Sequence, residues 1–412
     1  MTIQINAPRE IAQIASVLAD AGFEAVLVGG CVRDSLLRRQ AKDWDLATNA
    51  RPEQVGSLFP AAVVTTRFGT TLVPVAGQPA VEVTTYRTEH GYTDFRRPDH
   101  VAYTGSLAED LARRDFTINA LAYDPVTKIL HDPFGGQADL ASRSLRAVGR
   151  ADDRFGEDAL RLLRAVRFVS QLGFDIESDT ARAIGRHAHL ISELALERVG
   201  IEVGKLLVGP YAAKAIAQAE QLDLWQRIMH EMSGDKSRAH AVRVASLTGV
   251  DLSLNLAALL HHAEPESAQA RLLKLAFGAD VAGQAKKLIE IAALSLPSDD
   301  SPAATARAIR RWDHSTLEQG LLLRAICERE LAGNDRTSTQ LRQRAEQVYR
   351  SGLPLRISDL AIDGNQLLSS LGLREGPVVG KLLKQLLEDV TDGSVPNKSN
   401  ELLARAGQLH TS

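Results

Sequence analysis

Two aspartates separated by one residue are the clearest candidates for chemistry in this sequence. Asp43 and Asp45 flank Trp44, and side chains alternate along a strand, so both carboxylates would project to one side. Paired carboxylates on one face suit paired divalent metal ions, as in phosphoryl transfer. We therefore predict a strand that carries two metal-binding aspartates.

A glycine turn upstream of the aspartates predicts a phosphate site. The apolar run 25–28 ends at Gly29-Gly30, where the backbone can approach an anion without a Cβ in the way. A predicted helix over 31–37 would point its free N–H groups the same way. Each feature alone is common, but the order Gly-Gly-x-Val-Arg-Asp and then Asp-x-Asp resembles the nucleotidyltransferase fold shared with DNA polymerase β.

Three more stretches must position charged groups. Residues 81–87 predict a strand in which Glu82 is either a third active-site acid or a simple surface glutamate. Residues 107–122 predict one helix in which Arg114 and Asp115 face a ligand. Residues 88–106, which include 94–98, predict a loop over the site.

Residues 156–168 predict a helix that opens with acidic residues, which the helix dipole favours there. Glu157, Asp158 and Arg161 would lie within one turn of each other. The pattern is typical of a salt-bridged surface helix. It also fits a surface that reads bases, because a carboxylate accepts from exocyclic amines and a guanidinium donates to ring acceptors.

Composition limits the class of protein. The chain has 412 residues, enough for two to four domains, with 44% hydrophobic and 24% charged residues, as in soluble globular proteins. No run suits a membrane span and the first residues lack signal-peptide features, so we expect a cytoplasmic protein without membrane contact. The two cysteines are far apart, which predicts no disulfide framework.

Net charge alone does not indicate a nucleic-acid partner, since the formal charge is −3. A stripe of arginines could nevertheless attract a polyanion, although a solvated helix face with acidic partners fits equally well. The stripe consists of Arg143, Arg146, Arg150, Arg154, Arg161, Arg164 and Arg167. From about residue 150 onward the pattern is almost wholly helical.

Together these motifs resemble the class II, bacterial-type tRNA nucleotidyltransferases, the family of CCA-adding enzymes and bacterial poly(A) polymerases. The resemblance covers nearly the whole chain. It rests on residues 29–34, 43–45, 82–87, 113–120, 132–140, 157–168, 197–199 with Glu202, and 376–397.

The resemblance implies an α+β fold. A polymerase-β-like nucleotidyltransferase head with a small mixed sheet and helices would span 1–140. All-α parts would follow: a nucleotide-selecting neck over 141–205, a body over 206–350 and a tail over 351–412 that binds the tRNA elbow.

The resemblance also implies roles for residues. Asp43 and Asp45 would hold two Mg²⁺ ions, one activating the tRNA 3′-hydroxyl and one neutralising the triphosphate, with Glu82 as a further acid. Asp158 and Arg161 would read CTP and ATP. The other expected nucleotide-binding residues are Gly29, Gly30, Arg33, Arg114, Asp115, Asn119, Glu157, Arg164 and Arg167.

The implied activity is addition of 3′-terminal C and A to tRNA from CTP and ATP, with pyrophosphate release and contacts to the acceptor stem and elbow. An enzyme that adds only A after a separate CC-adding enzyme shares the same motifs. A poly(A) polymerase and a non-catalytic tRNA-binding protein are the further alternatives. The oligomeric state is left open by the sequence.

The family resemblance is broken at one pair of histidines. His261-His262 falls where some relatives carry a His-Asp metal-hydrolase motif, and the aspartate is missing here. We therefore expect no second phosphohydrolase activity, and we expect His262 to be an ordinary residue at a helix end.

Overall fold

The computed structural model describes residues 4–41, 43–65, 69–75, 77–90, 100–229, 235–249, 251–297 and 299–411. The chain divides into two compact units. The first unit comprises 1–232, 249–252 and 271–277, and the second comprises 233–248, 253–270 and 278–412. Residues 91–99 of the loop predicted over 88–106, including 94–98, lie outside the described residues, whereas 88–90 and 100–103 belong to strands and not to a loop.

A mixed seven-stranded sheet organises the first unit, in the order β3-β4-β5-β2-β1-β8-β9. Its strands are β1 (Ala25–Val28), β2 (Leu46–Thr48), β3 (Val63–Thr65), β4 (Thr70–Val75), β5 (Gln78–Thr85), β8 (Ala122–Tyr123) and β9 (Leu130–His131). Within the described part of this sheet, β2 and β5 run parallel and the other neighbouring strands run antiparallel. Two short pairs lie outside it: β6 (Arg87–His90) with β7 (His100–Tyr103), and β10 (Ser144–Leu145) with β11 (Asp175–Ile176).

Helices cover and extend this sheet. They are α1 (Arg9–Asp20), α2 (Gly30–Leu36), α3 (Pro52–Leu58), α4 (Leu107–Ala112), α5 (Gly136–Ser142), α6 (Ala151–Glu157), α7 (Leu160–Leu172), α8 (Ser178–His187), α9 (Leu196–Leu207), α10 (Ala212–Gln221) and α11 (Leu224–Ile228). Helix α1 buries an apolar stripe at helical spacing. The predicted mixed sheet followed by helices is confirmed.

Two predicted helices are broken in the structure. Helix α4 ends at Ala112, and a 3₁₀ turn over Thr117–Asn119 and the strand β8 follow it, so the single helix over 107–122 is wrong. The break occurs because Thr117 pairs its backbone N–H with the carbonyl of Arg146 (2.9 Å) instead of continuing the helix.

The helix predicted over 156–168 is also two helices. Helix α6 ends at Glu157 and α7 begins at Leu160. Asp158 between them has an extended backbone, and its Oδ1 accepts from the Leu160 N–H at 3.0 Å. The Asp158 carboxylate therefore accepts from the first residue of α7, whereas the Glu157 carboxylate binds Arg154 and Arg161.

The two aspartates precede a strand instead of lying inside it. Strand β2 begins at Leu46, so the prediction that Asp43 and Asp45 are strand residues is wrong in its bounds. The pairing with β1 nevertheless reaches Asp45, whose carbonyl accepts from the Val28 N–H at 3.1 Å. This hydrogen bond ties the aspartates to the glycine turn that ends β1.

The second unit is built from helices joined by loops in its described residues. Its helices are α12 (Asp235–Leu247), most of α13 (Leu252–Leu260), the first part of α14 (Pro265–Lys274), α15 (Ala279–Ala292), α16 (Pro302–Ile309), α17 (His314–Ala332), α18 (Arg336–Ser351), α19 (Gly364–Leu371), α20 (Pro377–Thr391) and α21 (Ser399–Thr411). One core forms around Trp312 and Leu321, and a separate core around Leu367 and Leu386 joins α19, α20 and α21. None of the described helices combines the length and apolar character needed to cross a membrane.

A late segment of the chain completes the first unit. The guanidinium of Arg271 donates through Nε to the Ile228 carbonyl at 3.1 Å. A Cβ at Gly200 in α9 would lie 1.8 Å from the carbonyl oxygen of Leu275. Helix α9 therefore packs directly on the backbone of this segment, and only glycine permits the approach.

Candidate active site

One cleft of about 740 Å³ in the first unit collects most of the predicted site residues. All of them line it except Glu82 and Glu157. The lining residues are Gly29, Gly30, Arg33, Asp43, Asp45, Arg87, Glu89, Arg113, Arg114, Asp115, Asn119, Asp158, Leu160, Arg161, Arg164, Arg167, Phe168, Gln171 and Arg198. We refer to it as the arginine-rich cleft, because eight of these are arginines and five are acids.

The glycine turn forms one wall of this cleft. Gly29 has φ +74°, a left-handed conformation that disfavours any side chain. A Cβ there would lie 2.9 Å from Nη1 of Arg114. The Nε of Arg114 is buried and has no hydrogen-bond partner among the described residues. A buried donor beside a bare backbone is well suited to an anionic oxygen.

Arg33, in the first turns of α2, is held in place by neighbours. Its Nη1 donates to Oδ1 of Asn119 at 2.6 Å, and its Nε donates to Asp34 at 2.9 Å. The guanidinium carbon lies 5.3 Å from the centre of the Phe168 ring. These contacts orient the cation at the cleft wall before any ligand arrives.

Three carboxylates are gathered beside the glycine turn. Leu46 of β2 pairs with Val83 of β5, which places Asp45 alongside Glu82. Burial, then the charge of Glu82, raises the pKa of Asp45 to about 6, although Arg114 opposes the shift. The exposed Asp43 adds to the same negative potential. Hard oxygen donors in an electronegative group suit a divalent cation such as Mg²⁺.

Asp115 anchors the opposite wall. Its Oδ1 accepts from the Phe116 N–H at 2.8 Å and from the Asn119 amide at 3.0 Å, and its Oδ2 accepts from Nε of Arg164 at 2.8 Å. Burial alone would raise the pKa of this carboxyl, but Arg164 and Asn119 lower it to about 2. Asp115 therefore stays ionised and fixes Arg164.

The helix junction presents Asp158 and Arg161 to the cleft from one side. Nη1 of Arg161 donates to Glu157 at 2.8 Å and Nη2 donates to the Arg113 carbonyl at 2.8 Å. Asp158 forms an ion pair with Arg198 at 3.6 Å, and burial raises the pKa of Asp158 while Arg198 opposes the shift. Glu157 lies behind Arg161 and does not line the cleft.

Arg167 continues this face. Its Nε lies 3.1 Å from Oε2 of Glu202, and its guanidinium carbon lies 4.6 Å from the Phe168 ring centre. A second arginine contacts the same ring, because the guanidinium carbon of Arg164 lies 5.5 Å from the ring centre. Cation–π contacts and ion pairs keep these like charges close together.

The sequence reasoning assigned no site role to several lining residues. Glu89 binds Arg87 and Arg113, each at 2.9 Å, and Arg198 has a buried Nη1 without a hydrogen-bond partner in the described part of the chain. Arg113 and Arg198 belong to the motifs on which the resemblance rests. Their position within those motifs is the sequence signal that could have indicated a site role. Their place in the cleft, however, results from tertiary packing.

The arrangement can bind a triphosphate and hold a base. Fixed guanidinium groups and a glycine turn suit phosphates, carboxylates suit a divalent cation, and the Asp158–Arg161 pair offers an acceptor and donors to a base edge. With the mixed sheet, these features define a nucleotidyltransferase class of protein.

Family models match three parts of the chain. They are the "Poly A polymerase head domain" over 25–146, the "Probable RNA and SrmB-binding site of polymerase A" over 173–235, and the "tRNA nucleotidyltransferase domain 2" over 253–406.

Relatives match over nearly the full length. A CCA-adding enzyme of Lactiplantibacillus plantarum is 37% identical over 95% of this chain and 93% of its own. The Bacillus stearothermophilus CCA-adding enzyme in complex with CTP has 31% identity and a TM-score of 0.73, covering 98% of this chain and 97% of that one. The Thermotoga maritima CCA-adding enzyme complexed with tRNA has a TM-score of 0.70 at 19% identity, which shows the fold. The chain belongs to the tRNA nucleotidyltransferase family of CCA-adding enzymes.

Proposed function

We propose that this protein adds C and A residues to the 3′ end of tRNA, using CTP and ATP and releasing pyrophosphate. The observation that carries the proposal is a single cleft that joins Asp43 and Asp45, beside Gly29, to the Asp158–Arg161 pair. A phosphate end and a base end in one cleft are what nucleotide transfer with base selection requires. Its similarity to a CTP-bound relative over 98% of the chain supports the same activity.

Mg²⁺ is the cation that we propose for the carboxylates. Asp43 and Asp45 would hold it, and Glu82 would strengthen the negative potential that attracts it. A buried carboxylate whose pKa is raised by burial and by neighbouring acids, as for Asp45, fits such a cation, because the cation relieves the repulsion between like charges. When bound, the metal lowers the pKa of the attacking hydroxyl and neutralises charge on the phosphates.

The chain's own residues orient the nucleotide. The Arg114 guanidinium donates to phosphate oxygens from behind Gly29, where no side chain blocks the approach. Arg33, fixed by Asn119, and Arg164, fixed by Asp115, add charge that is already oriented and needs no reorganisation as the α-phosphorus gains charge.

Base choice is assigned to the helix junction. Asp158 accepts from an exocyclic amine, which cytosine and adenine both carry and uracil lacks. Arg161 donates to the ring acceptors, and Glu157 acts as a positioning residue because it holds Arg161 without lining the cleft. Arg167 supports this face through Glu202.

We further propose a division of labour that follows the predicted parts. The head over 1–140 would transfer nucleotides, the neck over 141–205 would select them, and the body over 206–350 and tail over 351–412 would hold the acceptor stem and elbow of tRNA. Because tRNA and nucleoside triphosphates are substrates, we place the reaction in the cytoplasm.

The test uses three tRNA transcripts that end at the discriminator base, at C and at CC. Each is incubated with protein, Mg²⁺ and CTP, ATP or both, and the products are resolved at single-nucleotide length. We expect stepwise conversion of all three to CCA, and no addition by Asp43→Ala. Extension of only the CC-ended transcript, by one A, would support the A-adding alternative, and long A tracts would indicate a poly(A) polymerase.

A further inference from the structure

Three histidines of the second unit converge on one point. His240 lies in α12, and His261 and His262 follow the end of α13. Nδ1 of His240 lies 2.9 Å from Nε2 of His262 and 3.2 Å from Nε2 of His261. Each residue offers one nitrogen, and the three nitrogens lie within 4.8 Å of one another. We call these residues the three-histidine cluster.

The spacing matches a shared metal ion. In a tetrahedral site, Zn–N bonds of about 2.0–2.1 Å separate two ligand nitrogens by about 3.3 Å. The two measured separations, 2.9 and 3.2 Å, are close to that value. A small movement of the exposed His262 ring would complete the geometry.

The hydrogen bond of His261 sets its lone pair toward the cluster. Nδ1 of His261 lies 2.7 Å from the Ala258 carbonyl oxygen. A carbonyl oxygen can only accept a hydrogen bond, so Nδ1 carries the proton. Nε2 is then unprotonated, and its lone pair is available to a metal ion. A histidine whose other nitrogen binds a backbone carbonyl is the usual arrangement of a metal ligand.

Hydrogen bonds alone satisfy the cluster poorly. A proton on Nδ1 of His240 can make one good hydrogen bond, to His261 or to His262. A proton on Nε2 of His262 instead leaves His240 and His261 with two lone pairs facing each other.

We propose that the three-histidine cluster binds a divalent first-row transition metal ion of the Zn²⁺ class. Imidazole nitrogens suit Zn²⁺, Ni²⁺ or Cu²⁺, whereas Mg²⁺ prefers oxygen ligands. His240 is buried and His262 is exposed, so the ion enters from the solvent side and water completes its coordination. Under this proposal His262, which the sequence analysis expected to be an ordinary residue at a helix end, would be a metal ligand.

The ion would join α12 to the turn after α13. That link is local to the second unit and does not depend on the function proposed for the arginine-rich cleft. It would stabilise the folded state by binding it and not the unfolded chain. The site is also chemically distinct from the carboxylates of that cleft.

The experiment measures Zn²⁺ binding by the full chain after chelator treatment and desalting. Calorimetric titration, in excess Mg²⁺ that occupies oxygen sites, gives the stoichiometry and affinity, and Co²⁺ absorption reports nitrogen coordination. We expect one equivalent of Zn²⁺ and a higher melting temperature when it is bound. His262→Ala should weaken binding by at least about tenfold and remove that thermal shift, since it deletes a ligand.

The controls separate this site from others. His410→Ala removes an exposed histidine of α21 and should bind Zn²⁺ like the unsubstituted protein. Asp43→Ala/Asp45→Ala should also retain the binding. His261→Ala provides a second ligand deletion. Folded protein that takes up no Zn²⁺, or unchanged affinity in both His261→Ala and His262→Ala, would overturn the proposal.

Discussion

Replacing Arg161 with lysine tests base selection most sharply. Its guanidinium uses both protons of Nη1, toward Glu157 and the Arg154 carbonyl, and one proton of Nη2, toward the Arg113 carbonyl. Among the described residues, the Nε proton and the second Nη2 proton have no partner. Nε and Nη2 form one edge of the guanidinium, and we propose that this edge makes a bidentate contact to the base.

The expected loss of base discrimination follows from this bidentate contact of Arg161. A good bidentate contact contributes about 1–3 kcal/mol of discrimination against the wrong base. At about 1.4 kcal/mol per factor of ten, Arg161→Lys should reduce the preference for CTP over UTP by about 5- to 150-fold. Lysine keeps a positive charge beside Glu157. A reduced preference for CTP would therefore report the missing guanidinium donors and not a missing charge.

The assay is single-turnover addition to the discriminator-ended transcript, comparing kcat/KM for CTP and UTP. Urea unfolding checks that the variants remain folded. Glu157→Gln keeps an acceptor oxygen for Arg161 and should lose less discrimination, whereas Asp158→Ala should lose a comparable amount. An unchanged CTP-to-UTP ratio in both Arg161→Lys and Asp158→Ala would refute base reading by the helix junction.

Two further predictions concern the wall with the glycine turn. Because burial and Glu82 raise the pKa of Asp45 to about 6, protonation should weaken cation binding below pH 6. The rate at limiting Mg²⁺ should therefore fall about tenfold per pH unit there, and Glu82→Gln should move the midpoint of the pH–rate curve lower. A midpoint insensitive to both Glu82→Gln and Mg²⁺ would contradict this. Gly29→Ala should cost about 1–2 kcal/mol in thermal unfolding and raise KM for nucleotides by displacing Arg114. Gly30→Ala, whose Cβ would meet only Arg33 at 3.6 Å, should leave unfolding unchanged, and equal effects of the two substitutions would contradict the steric argument.

The sequence predicted those secondary-structure elements that are determined by residues close together in the chain. The apolar run 25–28 predicted the glycine turn that ends β1, and the helical pattern from about residue 150 onward predicted the series of helices found there. The mixed sheet was implied by the family resemblance. The turn and the helices depend on the chemistry of a few consecutive residues, whereas the sheet does not.

Features fixed by distant partners were missed. The helix predicted over 107–122 fails because Thr117 pairs with Arg146, and no local pattern announces that partner. One miss has a local cause: the helix over 156–168 breaks at Asp158, whose carboxylate accepts from the Leu160 N–H, and helical periodicity alone does not reveal this break. The site roles of Arg113 and Arg198 are likewise consequences of packing, and the roles assigned to individual cleft residues stay predictions.

The packing of α9 on residues 271–277 has a consequence for synthesis on the ribosome. Gly200 and Ile228 cannot reach their contacts with Leu275 and Arg271 until that segment has left the exit tunnel. At about 5–20 residues per second, the interval between synthesis of Ile228 and Leu275 is several seconds. During that time the first unit exposes apolar surface to the cellular milieu. A nascent chain stalled before residue 271 would therefore be a candidate for chaperone binding.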